Sequence, residues 1–257
     1  MSGSHELELI MKTSGNTILL TGGSSGIGRA LAKGLHDLGN EVIVAGRRQE
    51  ALKETAAGRA GIQAMTVDME DATDLRRFAR EVVDRHPKLN VLINNAGIMR
   101  YENASAKRDL ADSGATVITN LLGPIRLIDA LVDHLAAQPD SAIINVTSGL
   151  AFVPLPKAPT YSATKAALHS YTQALRVQLK GKVEVIELAP PGVQTDLTPG
   201  QATREGYMPL EGFADEVIAL FQADPGASEI LVERVKPLRF AEREGQTDEW
   251  LERLAAV

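Results

Sequence analysis

The sequence predicts an α/β domain, a single doubly wound unit whose parallel sheet of about seven strands carries helices on both faces. Three observations lead there. Short apolar runs alternate with longer segments of helical periodicity along the whole chain. The short runs are continuous rather than alternating with polar residues, which is how strands covered on both faces look. And 257 residues, 44% of them hydrophobic, can bury one sizeable core. There is no repeat, low-complexity tract or linker to divide it. The domain is expected over residues 15–257, with a charged tail from about residue 241. Residues 1–14 read as an N-terminal extension or leader, because the globular pattern begins near Asn16.

Taken in order, the strand candidates are Thr17–Leu20, Val42–Ala45, Ala64–Val67, Val91–Ile93, Ile143–Val146 and Val183–Leu188. Between them lie helical patterns. Gly26–Leu38 repeats apolar residues at Ile27, Ala30, Leu31, Leu35 and Leu38. Thr73–Arg85, a long segment of about Ala106–Ala137, Thr160–Leu179 and Phe213–Phe221 follow. Successive strand–helix–strand units require right-handed crossovers and a parallel sheet. Pro190–Gly212 breaks the rhythm with prolines and glycines and no apolar period. Ligands in doubly wound sheets bind outside the carboxyl ends of strands. The segment therefore reads as a substrate lid, or else as a plain surface loop.

Composition narrows the function classes. Lys and Arg number 27 against 33 Asp and Glu, a net charge of −6, so nucleic acid is not the expected partner. With no cysteine, disulfides, thiol nucleophiles and Cys-ligated zinc are excluded. The five histidines (His5, His36, His86, His134 and His169) are scattered without metal-ligand spacing, and no metal is expected. The start, MSGSHELELIMK, lacks a secretory h-region. No run of about 18 apolar residues is seen, so no membrane partner is expected and the cytoplasm is the default compartment.

The chemistry begins directly after the first strand, with Thr21, Gly22, Gly23, Ser24, Ser25, Gly26, Ile27 and Gly28 leading into a helix. Such glycines let the backbone turn tightly and approach a pyrophosphate, which the free N–H groups of the helix start attract. The second strand ends in Ala45, Gly46, Arg47 and Arg48. An NAD site commonly has an acid there for the ribose 2′-hydroxyl. Two arginines and no acid favour a 2′-phosphate, hence NADP(H).

The Thr-Gly-x-x-x-Gly-x-Gly spacing resembles the short-chain dehydrogenase/reductase family, a Rossmann-fold family, and the resemblance runs from about Gly15 to Phe221. It implies that Asp68, with Met69 beside it, contacts the adenine. It implies that Asn94, Asn95, Ala96 and Gly97 support the sheet and line the adenosine ribose. It brings Asn120, Ser148, Tyr161 and Lys165 into catalytic roles, with Asn120 interrupting its helix and holding a proton-relay water. Tyr161 and Lys165 also face the cofactor, the lysine holding the nicotinamide ribose. Pro190, Val193 and Thr195 fall at the nicotinamide carboxamide.

The residue types suit the chemistry. Hydride addition to a carbonyl leaves an alkoxide that needs a proton, and a tyrosine can give it. A lysine one helical turn away, at i+4, stabilises the phenolate and so should lower the tyrosine's pKa toward working pH. A serine can stabilise the charge developing on the substrate oxygen.

Two departures stand out. Pro191 occupies the place of a family glycine and stiffens that turn. The family's Gly-Gly ending is replaced by Glu229–Val232, then Glu233 to Phe240, then the charged tail with Trp250, Leu251 and Leu254. This ending resembles the bacterial subgroup named after a teichoic-acid D-alanylation locus.

The segment Gly149–Pro156 would line the substrate pocket or simply pack, and Tyr207, Met208 and Leu210 would add a lid. A fairly apolar carbonyl or alcohol substrate is expected, unless Arg100 and Arg204 lie close enough to favour an anion. The resemblance implies a homodimer through the two long helices, with a tetramer put in doubt by the altered ending. The leading expectation is an NADP(H)-dependent carbonyl reductase, reversible as an alcohol dehydrogenase. A non-catalytic cofactor-binding sensor or scaffold is the alternative, against which the intact Asn120, Ser148, Tyr161 and Lys165 speak. Dehydration or epimerisation on the same fold would differ by not consuming NADPH stoichiometrically.

Overall fold

The computed structural model describes residues 11–256. Seven parallel strands form one sheet in the order β3-β2-β1-β4-β5-β6-β7. They are β1 (Thr17–Thr21), β2 (Glu41–Gly46), β3 (Ile62–Thr66), β4 (Leu89–Asn94), β5 (Ala142–Val146), β6 (Glu184–Leu188) and the short β7 (Glu229–Ile230). The helices are α1 (Gly26–Asp37), α2 (Gln49–Ala56), α3 (Ala72–Arg85), α4 (Ala111–Val117), α5 (Gly123–Ala136), α6 (Pro159–Gln178), α7 (Leu210–Ala223), α8 (Lys236–Phe240) and α9 (Thr247–Ala255).

Alternation along each buried strand divides the core into two layers. In β1, Ile18 and Leu20 face a cluster completed by Leu31 and Leu35 of α1 and Phe213 and Val217 of α7. Leu19 faces the other way, toward Phe78 and Val82 of α3, Leu127 and Leu131 of α5, and Leu175 of α6. Local signals start these helices where the packing needs them. Asp71 caps α3 by accepting from the N–H groups of Thr73 and Asp74, at 2.7 and 3.1 Å. Proline stands in the first turn of both α5 and α6, where its missing N–H costs nothing.

Several sequence expectations change. The α2 helix was not foreseen: QEALKETA buries only Leu52 and Thr55. The long helix expected over Ala106–Ala137 is four pieces: a loop to Leu110, α4, a π-helical turn at Ile118–Leu122 that contains Asn120, and α5. Ala111–Ala136 is also long and apolar enough to meet a length-and-composition test for a membrane span. Its apolar face, however, is occupied: Leu127, Ile128, Leu131 and Leu135 pack in the second core layer. The tail beyond residue 241 contains α9. Of the expected N-terminal extension, residues 1–10 lie outside the described residues. The packed domain reaches back to Met11, ahead of the boundary expected at residue 15. Met11 is only 3% exposed, and its N–H bonds the Glu184 carboxylate at 2.5 Å.

Candidate active site

All seven strands run the same way, so the turns after β1, β2, β3, β4, β5 and β6 meet at one edge of the sheet. They line a single cleft of about 390 Å³ around the switch point between β1 and β4.

One end of the cleft is built from backbone. Gly22 and Gly26 take positive φ angles of 73° and 52° to swing the chain into α1. Ser25 caps α1 without a side-chain hydrogen bond, which leaves the first N–H groups of the helix open to the cleft. Asn95 braces the turn by donating to the Thr21 carbonyl at 2.9 Å. The Arg48 guanidinium donates to the hydroxyls of Ser24 and Ser25, at 2.9 and 2.7 Å. Arg47 lines the same end and pairs with Glu70 at 3.2 Å. Asp68, Met69, Ala96 and Gly97 line the middle of the cleft. Asn94 does not: it is buried 2% exposed and donates to Asn145 at 2.9 Å, under the sheet edge. Asn95 takes the lining position that the motif left open.

The other end is built from side chains. Tyr161 and Lys165 rise from one face of α6, and Ser148 follows β5. The Tyr161 and Ser148 hydroxyls are neighbours, near enough for Ser148 to favour the Tyr161 phenolate. Ser148 Oγ accepts from the Leu150 N–H at 3.1 Å, which fixes its direction. Burial pushes the Tyr161 hydroxyl up to about 12, the reverse of the lowering expected from Lys165, opposed by Ser148 and assisted by the nearby Tyr207. Burial likewise lowers the Lys165 ammonium to about 8. Lys165 Nζ spends one donor on the Val146 carbonyl at 2.8 Å and has two left.

Asn120 is fully buried in the π-helical turn behind them. Its side chain accepts from the Ile98 N–H and donates to the Ile98 carbonyl, both at 2.8 Å, and does not line the cleft. The turn thus clips α4–α5 to the strand-end turn at Gly97. Pro190, Val193 and Thr195 close the cleft from the β6 side.

The expected pocket walls are realised in part. Leu150 and Leu155 gather with Met99, Ala158 and Tyr161, joined by Leu197 and by Leu254 of α9. Phe152 turns away and packs edge-on against His169, with Arg239 above it. Of the expected lid, Met208 and Leu210 join the Phe213 core layer, and only Tyr207 faces the Tyr161 side.

A second polar group escaped sequence reading. Buried Glu187 accepts from Thr147, the residue before Ser148, at 2.6 Å and meets His169 at 2.7 Å. With Glu229 these residues have metal-compatible spacing, yet both Glu229 oxygens bind Arg239, at 3.0 and 2.9 Å. The only sequence signal was a glutamate inside an apolar strand.

The cleft fits a nicotinamide dinucleotide on its own terms. Uncapped helix N–H groups and Arg48 stand at one end for phosphates, and Lys165 has spare donors at the other. Thr119 Oγ1, buried in the cleft lining, finds no partner among the described residues. Fold and site together define the class: a nicotinamide-dependent oxidoreductase.

The comparisons narrow the class. The family described as short chain dehydrogenase matches residues 16–206, and the chain belongs to it. It is 41% identical over 238 residues to the uncharacterized oxidoreductase DltE of Bacillus subtilis (strain 168), covering 91% of this chain and 94% of that protein. A short chain dehydrogenase from Burkholderia cenocepacia J2315, solved in complex with NADP, superposes with a TM-score of 0.79 at 25% identity, over 94% of this chain and 99% of that one. The 3-ketoacyl-(acyl-carrier-protein) reductase from Brucella melitensis, complexed with NADH, gives 0.74 at 26% identity over 84% and 94%. The neighbours thus hold either nicotinamide dinucleotide.

Proposed function

We propose that this protein is an NADP(H)-dependent carbonyl reductase, reversible as an alcohol dehydrogenase, with Tyr161 as the general acid/base. The observation that carries the reading is the meeting of Ser148, Tyr161 and Lys165, with Lys165 Nζ 5.7 Å from the centre of the Tyr161 ring, in one cleft that begins at an uncapped helix N-terminus.

When bound, the reduced nicotinamide supplies the hydride. The chain's own groups do the rest. Ser148 and Tyr161 direct two hydroxyls toward one point, where a carbonyl oxygen gains negative charge. Tyr161, held near 12, keeps its proton at neutral pH and is ready to give it to that oxygen. Lys165, lowered to about 8, stands within reach to stabilise the phenolate and carry the returning proton. Asn120 acts from behind as a positioning residue, through Ile98. In the oxidation direction each of these transfers reverses.

NADP(H) is preferred over NAD(H) because β2 ends in Ala45 and Gly46 and is followed by Arg47 and Arg48, with no acid to bind a 2′-hydroxyl, while Arg48 already gathers two serine hydroxyls into a phosphate-sized cluster. The substrate is a carbonyl compound with an apolar body, matched to Met99, Leu150, Leu155, Leu197 and Leu254. We further propose a cytoplasmic homodimer formed through α5 and α6; Val177 of α6 is 77% exposed, an apolar side chain available to such an interface.

The test is oxidation of NADPH, with NADH in parallel, over a panel of ketones and aldehydes. Stoichiometric NADPH consumption with alcohol formed is the expected result. Tight NADPH binding with no turnover on any carbonyl, or NADH used as efficiently as NADPH, would overturn the corresponding half of the reading.

A further inference from the structure

Next to the lining residues Leu197 and Gln201, at the substrate side of the cleft, stands a cation without an acidic partner among the described residues. Arg204 lies in the segment between β6 and α7 and forms no salt bridge among the described residues. Its donors face phenols instead. Arg204 Nη1 lies 3.4 Å from the Tyr207 hydroxyl, and the guanidinium stacks over the Tyr207 ring at 5.2 Å. The Tyr101 hydroxyl, near enough to feel the Arg204 charge, donates to Thr198 at 3.1 Å.

The arrangement is held from several sides. Thr198 donates to Gln201 at 2.8 Å, and Gln201 is anchored on the Val193 carbonyl at 2.8 Å. Gly192 allows Tyr207 to lie against the backbone: a Cβ there would stand 3.0 Å from the Tyr207 ring. Lys157 Nζ lies 4.9 Å from the centre of the Tyr101 ring and adds a second positive charge. Burial would raise the Tyr101 hydroxyl, but its contact with Thr198 and the nearby charges of Arg204 and Lys157 hold it below its ordinary value.

Tyr207 is the link to the cleft: its ring lies against Gly192, between the lining residues Pro191 and Val193. Gln201 and Leu197 of the same segment line the cleft itself. Of the two acids of this segment, Asp196 is in the cleft lining and Glu205, the residue after Arg204, is exposed, and neither forms a salt bridge with Arg204 among the described residues.

We propose that Arg204, with the Tyr207 hydroxyl, forms an anion subsite that selects carbonyl substrates bearing a carboxylate or similar monoanionic group. This rests on the carbonyl-reductase reading above. A guanidinium presents a planar fork that matches two carboxylate oxygens, and the Tyr207 hydroxyl, which accepts from Arg204, keeps its own proton to donate to the same group. An arginine beside a cleft with only phenols to bond is pre-organised for such a guest. The apolar cluster around Leu155 and Leu197 then holds the carbon chain between the anion and the reacting carbonyl.

The experiment uses matched probes: pyruvate, 3-oxobutanoate and 4-oxopentanoate against their methyl esters, with the wild type, Arg204→Gln and Arg204→Lys. Binding is measured by calorimetry on the NADP⁺-loaded protein, which cannot reduce the probe. Turnover is followed separately with NADPH. The subsite predicts that at least one acid binds more tightly than its ester. Arg204→Gln is expected to weaken the acid by about 10- to 100-fold and leave the ester within about twofold. Arg204→Lys should restore part of the loss, and in turnover the change should fall in KM rather than kcat. Acids and esters binding alike, or an acid unaffected by Arg204→Gln, would overturn the subsite. Failure of NADPH oxidation on every carbonyl would overturn the reductase reading instead, and would leave the binding result standing.

Discussion

The two ends of the cleft are built by different means. At the cofactor end, affinity comes from main-chain geometry within a few residues of each strand: the turn after β1, the arginines after β2, the Asn-Asn-Ala-Gly turn after β4. At the substrate end, the pocket is assembled from side chains distant in sequence, with Met99, Leu155, Tyr161, Leu197 and Leu254 drawn together by tertiary packing. The first kind of site tolerates change in the rest of the chain but not in its own backbone. The second can be re-specified by single side chains while the reaction is kept.

Substitutions that break each end should therefore differ in size and kind. The largest effect is expected from Gly28→Ala. A Cβ there would lie 2.3 Å from the Gly22 carbonyl oxygen and 2.5 Å from Asn95 Nδ2, so the turn must shift. NADPH affinity should fall by about 100-fold or more while far-ultraviolet circular dichroism stays native; a fluorescence titration reads it. Arg48→Gln should be milder and selective. The KM for NADPH should rise by about 10- to 100-fold and that for NADH hardly at all. An equal rise for both cofactors would mean that Arg48 only braces Ser24 and Ser25.

The smallest effect lies away from both ends, at Glu184. Burial pushes this carboxyl up to about 7 from its ordinary 4.5, offset by the Met11 N–H. A carboxyl whose folded pKa is raised stabilises the fold fully below its unfolded pKa and loses that contribution as pH rises through 7. Glu184→Gln should raise Tm by a degree or two at about pH 8, given screening, and change nothing near pH 4. Thermal scans at the two pH values check the sign.

The same contrast explains what could be read from the sequence. Six strands and the glycine turn were legible because their signals are local: continuous apolar runs and a spaced set of glycines. The α2 helix was not, since a short, mostly polar segment with Leu52 and Thr55 buried has no period to detect. The π-helical turn was invisible to a helical-period reading, because the small and apolar residues of α4 and α5 run through Ile118–Leu122 without a break. Asn94 and Asn95 could not be told apart by motif; a register of one residue decides which faces the cleft. The tail after residue 241 read as charged, but Leu254 of α9 reaches the Tyr161 cluster. Tyr101 and Arg204 lie on separate loops, and only folding makes them neighbours.

The central claim is that Tyr161 gives the proton while Ser148 and Lys165 support it. The most direct measurement is single-turnover NADPH oxidation on a ketone that the wild type reduces, compared with Tyr161→Phe after NADPH binding has been matched by titration. The account predicts a fall of about 10² to 10⁴ in the rate with cofactor affinity preserved. A Tyr161→Phe protein that turns over at the wild-type rate would contradict it.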